Sequence, residues 1–319
     1  MYRNKFFAVL IIVVASTWVT ANLFDYRYKM RWQEFVFNKI ETCITEKINY
    51  DVLFFGDSRV QLGINPFYFD SVTHLNSYNL GYMGGDAKLM NLFSYLYLQK
   101  HTAPKAVFIN VDEYAVVPSY VFKEAYFLLY YLKSDPVAKI MQEEGFPTSF
   151  IKIFPFTKYC FFNEYNRISI LAPNINKKFS VFETTSYKGF TAVNDLILKN
   201  KGKENNLFNF QPVKENFTVN DSSINFLQST IRRFLNLQTK VFLFYPPGGH
   251  SLNLNDQAKK NLSIEVGNKM AKYFQIPYLR FDTLKAFTPE LFYDNLHLNK
   301  KGSVMFSTQM GLAAINELK

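Results

Sequence analysis

Apolar residues run continuously, rather than alternating, in three short stretches of this chain: Val52 to Phe55, Ala106 to Ile109 and Val241 to Tyr245. A strand that is apolar on consecutive positions has both faces buried, which is the habit of a parallel sheet covered by helices. The pattern predicts five strands: Asp51–Phe55, a second near 75–80, Ala106–Val111, Lys240–Tyr245 and a short one near 277–281. Pro246-Pro247-Gly248-Gly249 stops the fourth. Helical spacing appears between them. Leu89, Leu92, Phe93 and Leu96 share one face of a helix over 86–99, and further helices are expected at about 221–236, 256–274 and 300–316. Asn299 stands where it would cap the last of these. Strands alternating with helices predict a mostly parallel sheet with helices on both faces.

Two segments break the alternation. The first is Phe6–Ala15, an unbroken apolar decapeptide preceded by Arg3 and Lys5. The nineteen residues from Phe6 to Phe24 are enough to cross a bilayer as a helix. They also suit a secretory signal, since Val19-Thr20-Ala21 is an acceptable cleavage site. Either reading exports the remainder of the chain. The favoured one is an uncleaved anchor over residues 1–24, then a tether helix within 25–49 and the main domain over 50–319. Arg27, Lys29 and Arg31 beyond the segment blunt the charge asymmetry that would set its orientation. The second segment separates strands three and four by about 125 residues, far more than a crossover helix needs. Residues 114–217 are read as an insertion, rich in Tyr and Phe, whose short helices would cap the strand tips.

Composition narrows the classes. A chain of 319 residues with 48% hydrophobic and 18% aromatic content is not disordered. Its 34 Phe and 21 Tyr exceed what such a core needs, so some are expected to line a cleft or a membrane-facing surface. The net charge of +10 is spread rather than blocked, which argues against nucleic acid and suits a membrane or an anionic surface polymer. Cys43 and Cys160 make neither a disulfide framework nor a metal site, though they could form a single bridge after export. No cofactor or metal is expected.

The chemistry sits at the predicted strand tips. Strand one ends in Gly56-Asp57-Ser58, which delivers a serine to the carboxyl edge of the sheet, where such folds place their sites. A serine nucleophile needs an imidazole in hydrogen-bond reach. Of the four histidines, His74 and His101 read as solvated surface residues. His250, after Pro-Pro-Gly-Gly, is a second candidate. His297 is preferred, because Asp294 three residues earlier can hold its tautomer. Ser58, His297 and Asp294 thus form the candidate nucleophile, base and orienting group. Ser58 and Gly84 are the candidate backbone donors to a tetrahedral intermediate.

These blocks resemble the SGNH, or GDSL-like, hydrolases, a superfamily of esterases and acyltransferases. The match lies in Gly56-Asp57-Ser58, in Asp294-x-x-His297 and in Asn79-Leu80-Gly81-Tyr82-Met83-Gly84, over roughly residues 51–318. The resemblance implies a flavodoxin-like three-layer α/β/α fold. The family's asparagine donor after strand three stands in a Gly-x-Asn-Asp block, which is absent here. The stretch Asn110-Val111-Asp112-Glu113 instead places Asp112 at that position, or Asn110 in a shifted register. An ionised carboxylate cannot donate to an oxyanion. This departure is similar to membrane-anchored members that act in teichoic-acid D-alanylation and alginate O-acetylation. It implies a cell-surface glycan substrate and a multispanning membrane-bound O-acyltransferase as partner. Two readings follow. One is a serine-dependent O-acyltransferase or esterase outside the cytoplasm; the other is a catalytically silent glycan-binding scaffold on the same fold.

Overall fold

The computed structural model describes residues 2–32, 37–116, 126–162, 182–193, 219–248 and 254–318. They divide into two compact units, Met1–Phe37 with Tyr120–Ser180, and Asn38–Ser119 with Val181–Lys319.

The second unit holds the sheet. Five parallel strands, β1 (Val52–Phe55), β2 (Ser77–Asn79), β3 (Ala106–Asn110), β6 (Lys240–Tyr245) and β7 (Tyr278–Arg280), lie in the order β2-β1-β3-β6-β7. That is the flavodoxin-like order. Strand side chains alternate between faces. Val52, Phe54, Ala106, Phe108, Phe242 and Phe244 pack in one core with Phe69 and with Phe306, Met310 and Ala314. These last belong to α4 (Pro66–Thr73) and to α11 (Lys300–Leu318), which follows α10 (Leu254–Phe274) in the chain. On the opposite face the Phe55 ring meets Phe234 at 5.6 Å. Phe234 lies on α9 (Asp221–Leu235), which pairs with α5 (Ala87–Leu98). The three-layer α/β/α architecture is therefore present, with its strand ends within two residues of the pattern read from the sequence. Asp86 caps α5 through Leu89 N–H at 2.8 Å. Asn299 caps α11 through Gly302 N–H at 3.0 Å.

The insertion holds more than the expected short helices. A hairpin of β4 (Phe182–Tyr187) and β5 (Phe190–Val193) belongs to the sheet unit, and β5 packs on α3 (Ser58–Gly63). Its two turn residues, Lys188 and Gly189, both have positive φ, 46° and 82°, the geometry of a primed two-residue turn. A side chain at 189 would place Cβ 2.0 Å from the Asn79 carbonyl oxygen. Lys39, on α2 (Asn38–Ile44) and fully buried, donates to that oxygen at 3.0 Å and to the Gly189 carbonyl at 2.6 Å. Burial pulls its ammonium down to about 7.

The first unit joins α1 (Tyr2–Trp32) to α7 (Asp135–Glu143) and α8 (Thr148–Ile153), with 3₁₀ turns at Tyr126–Tyr130 and Pro155–Phe161. The boundary expected at residue 24 falls inside α1, which contains neither Gly nor Pro to end it. Among the described residues one helix, Arg3–Met30, is long and apolar enough to cross a membrane, with a mean hydropathy of 2.1. Tyr28, Phe37, Tyr130 and Phe162 pack as rings at its far end. Cys43 is buried and Cys160 exposed, and no disulfide joins them.

Candidate active site

The turn after β1 is built by three consecutive residues. Gly56 is required by space, since a Cβ there would lie 2.2 Å from Val60 Cγ2 and 2.8 Å from Asn110 Cβ. Asp57 caps α3, accepting from Arg59 N–H at 2.9 Å. Ser58 then opens the helix, buried but for 5% of its surface.

His297 arrives from a loop fastened at several points. Tyr293 N–H donates to the His297 carbonyl at 2.8 Å, and Phe292 bridges Leu298. The Asn299 amide donates to the Glu290 carbonyl at 2.7 Å. Asp294 Oδ1 accepts from Leu296 and His297 N–H at 2.8 and 2.7 Å, leaving Oδ2 for His297 Nδ1 at 2.8 Å. Burial alone would raise the Asp294 carboxyl, but the imidazole and these N–H bonds outweigh it and hold it below the usual carboxylate range. An ionised Asp294 accepts a hydrogen bond from Nδ1–H and keeps the ring proton there, so His297 Nε2 is the acceptor facing Ser58 Oγ at 2.8 Å. The structure thus brings Ser58, His297 and Asp294 into one relay across 239 residues of chain.

Gly84 sits in the turn after β2 with φ +69°, closed by Gly85 N–H on the Tyr82 carbonyl at 2.6 Å. Met83 N–H donates to Gln61 Oε1 at 2.7 Å, tying that turn to α3. Among the described residues, the N–H groups of Ser58 and Gly84 have no acceptor.

Asn110 and Asp112 differ from expectation. Both are fully buried. Asp112 Oδ1 caps the short helix α6 (Glu113–Val116), accepting from Tyr114 and Ala115 N–H at 3.1 and 3.3 Å. Its Oδ2 accepts from the Asn110 amide at 2.8 Å and lies 3.6 Å from Arg59 Nη1. The Asn110 amide also reaches Asp57 Oδ1 at 3.3 Å. These groups face one another, so neither residue presents a donor or a carboxylate to substrate. Register placed Asp112 at a donor site; its own helix claimed it first.

Sequence reasoning missed the group that organises this interior. Arg59 donates to the Pro246 and Pro247 carbonyls at 3.1 and 2.9 Å, reaches Glu113 at 3.5 Å and lies over the Tyr245 ring. Tyr245 Oη donates to Glu113 Oε1 at 2.5 Å. The buried Asp112 and the partly buried Glu113 share one guanidinium, and burial together with Asp112 pushes the Asp57 carboxyl well up. Burial likewise raises Glu113. A buried arginine beside the nucleophile was visible only as a residue following Ser58.

Other histidines stand apart. His101 is buried, stacked on Tyr97 at 4.2 Å, and not the surface residue that its polarity suggested. His74 is exposed at the end of α4, in left-handed backbone. His250 lies outside the described residues. Among the described residues no cluster of His, Cys, Asp and Glu could hold a metal ion.

A doubly wound α/β fold with a serine–histidine–aspartate relay at its strand tips is the class that fold and site define. No family model and no curated protein matches the chain. Among solved structures it is similar to an acetylxylan esterase from Geobacillus stearothermophilus, a catalytic mutant, at 12% identity and TM-score 0.42, covering 85% of this chain and 96% of that one. It is also similar to a lipase/acylhydrolase from Enterococcus faecalis, at 11% identity and TM-score 0.40, covering 84% and 96%. A GDSL-like lipase from Bacteroides thetaiotaomicron gives 12% identity and TM-score 0.38, covering 84% and 88%.

Proposed function

We propose that the protein is a serine-dependent O-acyl esterase or O-acyltransferase, held in a membrane by α1 and acting outside the cytoplasm on a cell-surface carbohydrate polymer. The observation that carries this reading is the relay from Ser58 Oγ to His297 Nε2 and from Nδ1 to Asp294, each at 2.8 Å.

The chemistry runs in two halves. Ser58 Oγ attacks an acyl carbonyl as its proton passes to His297 Nε2, and Asp294 stabilises the imidazolium. In this reading the Ser58 and Gly84 N–H groups donate to the oxyanion. His297 returns its proton to the leaving alkoxide, giving an acyl-serine. A sugar hydroxyl or water, deprotonated by His297, then attacks that ester and releases Ser58. With Asn110 and Asp112 locked in the interior, two backbone donors without a side-chain third would slow every step that passes through an oxyanion. A multispanning O-acyltransferase is the proposed partner that would supply the acyl group.

Fluorophosphonate labelling of membranes carrying the full chain tests the reading. Labelling that disappears in Ser58→Ala and in His297→Ala supports an activated serine. An unlabelled wild-type chain would favour the silent scaffold.

A further inference from the structure

We propose that α8 and the 3₁₀ turn following it form an interfacial shelf, with Phe150, Ile153 and Phe161 seated in the lipid surface that α1 enters. The proposal rests on the reading of α1 as an uncleaved anchor. Its position comes from the helix itself. Arg3 and Lys5 mark one end of the span, and Phe6, Val9, Ile11, Ile12 and Val19 are exposed along it. From Phe6 to Phe24 the helix rises about 27 Å, close to the roughly 30 Å hydrocarbon thickness of a bilayer. Phe24 therefore stands at the far boundary of the apolar layer.

The 155–161 turn is attached at that level. Phe24 meets the rings of Phe156 and Tyr159 at 5.7 and 5.4 Å. Lys158 Nζ donates to Asp25 at 2.7 Å, and Tyr159 Oη contacts Asp25 and the Ala21 carbonyl. Polar groups at this depth are thereby paired within the unit. Phe150 meets Phe154 at 5.1 Å, and α8 packs on the 155–161 turn.

α8 exposes two large apolar side chains together with the polar Ser149 and Lys152. Phe150 and Ile153 are three residues apart, hence on one face, and are 51% and 61% exposed, while Ile151 points inward. Phe161 is 36% exposed on the adjoining turn. Lys152 is exposed beside them, placed for a lipid phosphate. Exposed Phe and Ile at the depth where a span leaves the hydrocarbon, with a lysine among them, are the marks of a segment lying in the headgroup boundary, about 5–10 Å deep. A second membrane protein covering the same surface is the alternative that the test separates; the packing of Phe156 on Phe24 favours lipid.

The test uses the full chain with Cys160→Ser and Ile153→Cys, carrying a bimane label, in phosphatidylcholine vesicles containing phosphatidylglycerol. Buried Cys43 stays unlabelled. Lipids brominated at shallow acyl positions should quench the label strongly, and deeply brominated lipids less. A second variant, Val13→Cys, reports the anchor and should be quenched most by deep bromines. Quenching at 13 without quenching at 153 overturns the shelf and leaves the anchor standing. A label at 153 shielded from aqueous iodide but untouched by bromolipid means that protein covers the surface, and also overturns it. Absence of quenching at both positions overturns the anchor and the shelf together.

Discussion

Replacing Asp294 by asparagine perturbs one atom of the relay and leaves its frame in place. The asparagine oxygen can still accept from Leu296 and His297 N–H, now at 2.8 and 2.7 Å, so the loop stays folded. The atom facing His297 Nδ1 at 2.8 Å becomes an amide donor. Two donors cannot face each other, so the ring proton moves to Nε2 and Nδ1 becomes the acceptor. Nε2 then points an N–H at Ser58 Oγ and cannot take its proton. The expected loss in kcat is about 10³–10⁴, which is about 4–5.5 kcal/mol in the barrier. KM should change little, because Asp294 does not touch the acyl group in this mechanism. Hydrolysis of p-nitrophenyl acetate by the detergent-solubilised chain reads kcat, and thermal unfolding verifies that the fold is retained. A loss below tenfold in a folded variant would refute the assignment of Asp294 as the orienting group.

Two further outcomes concern the fold. Lys39 titrates near 7 when folded and near its ordinary 10.5 when unfolded. Between those pH values the unfolded chain holds the proton that the folded chain has lost. Stability should therefore rise with pH across that window by up to about 1.4 kcal/mol per unit, and the full penalty of the buried charge should be felt below pH 7. Lys39→Met should flatten the rise in denaturant titrations, and an unchanged slope would refute this. Gly189→Ala combines a positive φ with a Cβ 2.0 Å from a carbonyl oxygen and should cost about 2–4 kcal/mol. A melting temperature within a degree of wild type would show that the turn yields.

The strands were legible because burial on both faces leaves no polar interruption to misread. Val52–Phe55 and Lys240–Tyr245 announce themselves without help from their neighbours. Ser58 and His297 were legible for a different reason: the sheet's topology fixes where strand tips go, and few histidines compete. What failed was anything decided by a distant partner. Lys39 reads as a solvated charge until two carbonyls, 40 and 150 residues away, are found around its ammonium. Lys188-Gly189 lacks the Asn-Gly or Asp-Gly signature of a hairpin, so β4 and β5 stayed hidden inside the insertion. Asp112 did carry a local signal. An aspartate before Glu113-Tyr114-Ala115-Val116 is a helix cap, and that should have outweighed register. His101 likewise follows Tyr97 by one helical turn, the spacing for the stack that buries it.

The hairpin turn at Lys188-Gly189 also governs whether this sheet can be joined by a stranger. β2 is the outermost strand on its side, and such a strand offers unpaired amides and carbonyls as a template for another chain. At its last residue both groups are taken: Asn79 N–H donates to the Lys188 carbonyl at 2.9 Å, and its own carbonyl accepts from Lys39. Lys188 Nζ is pinned to Asp70 at 2.6 Å and to Asn76 at 2.7 Å, setting a charge beside the start of the strand. A chain nicked or loosened at this turn would therefore lose more than a loop. It would uncover a sheet margin that pairs readily with copies of itself, and self-association is the failure to watch for whenever the insertion is trimmed.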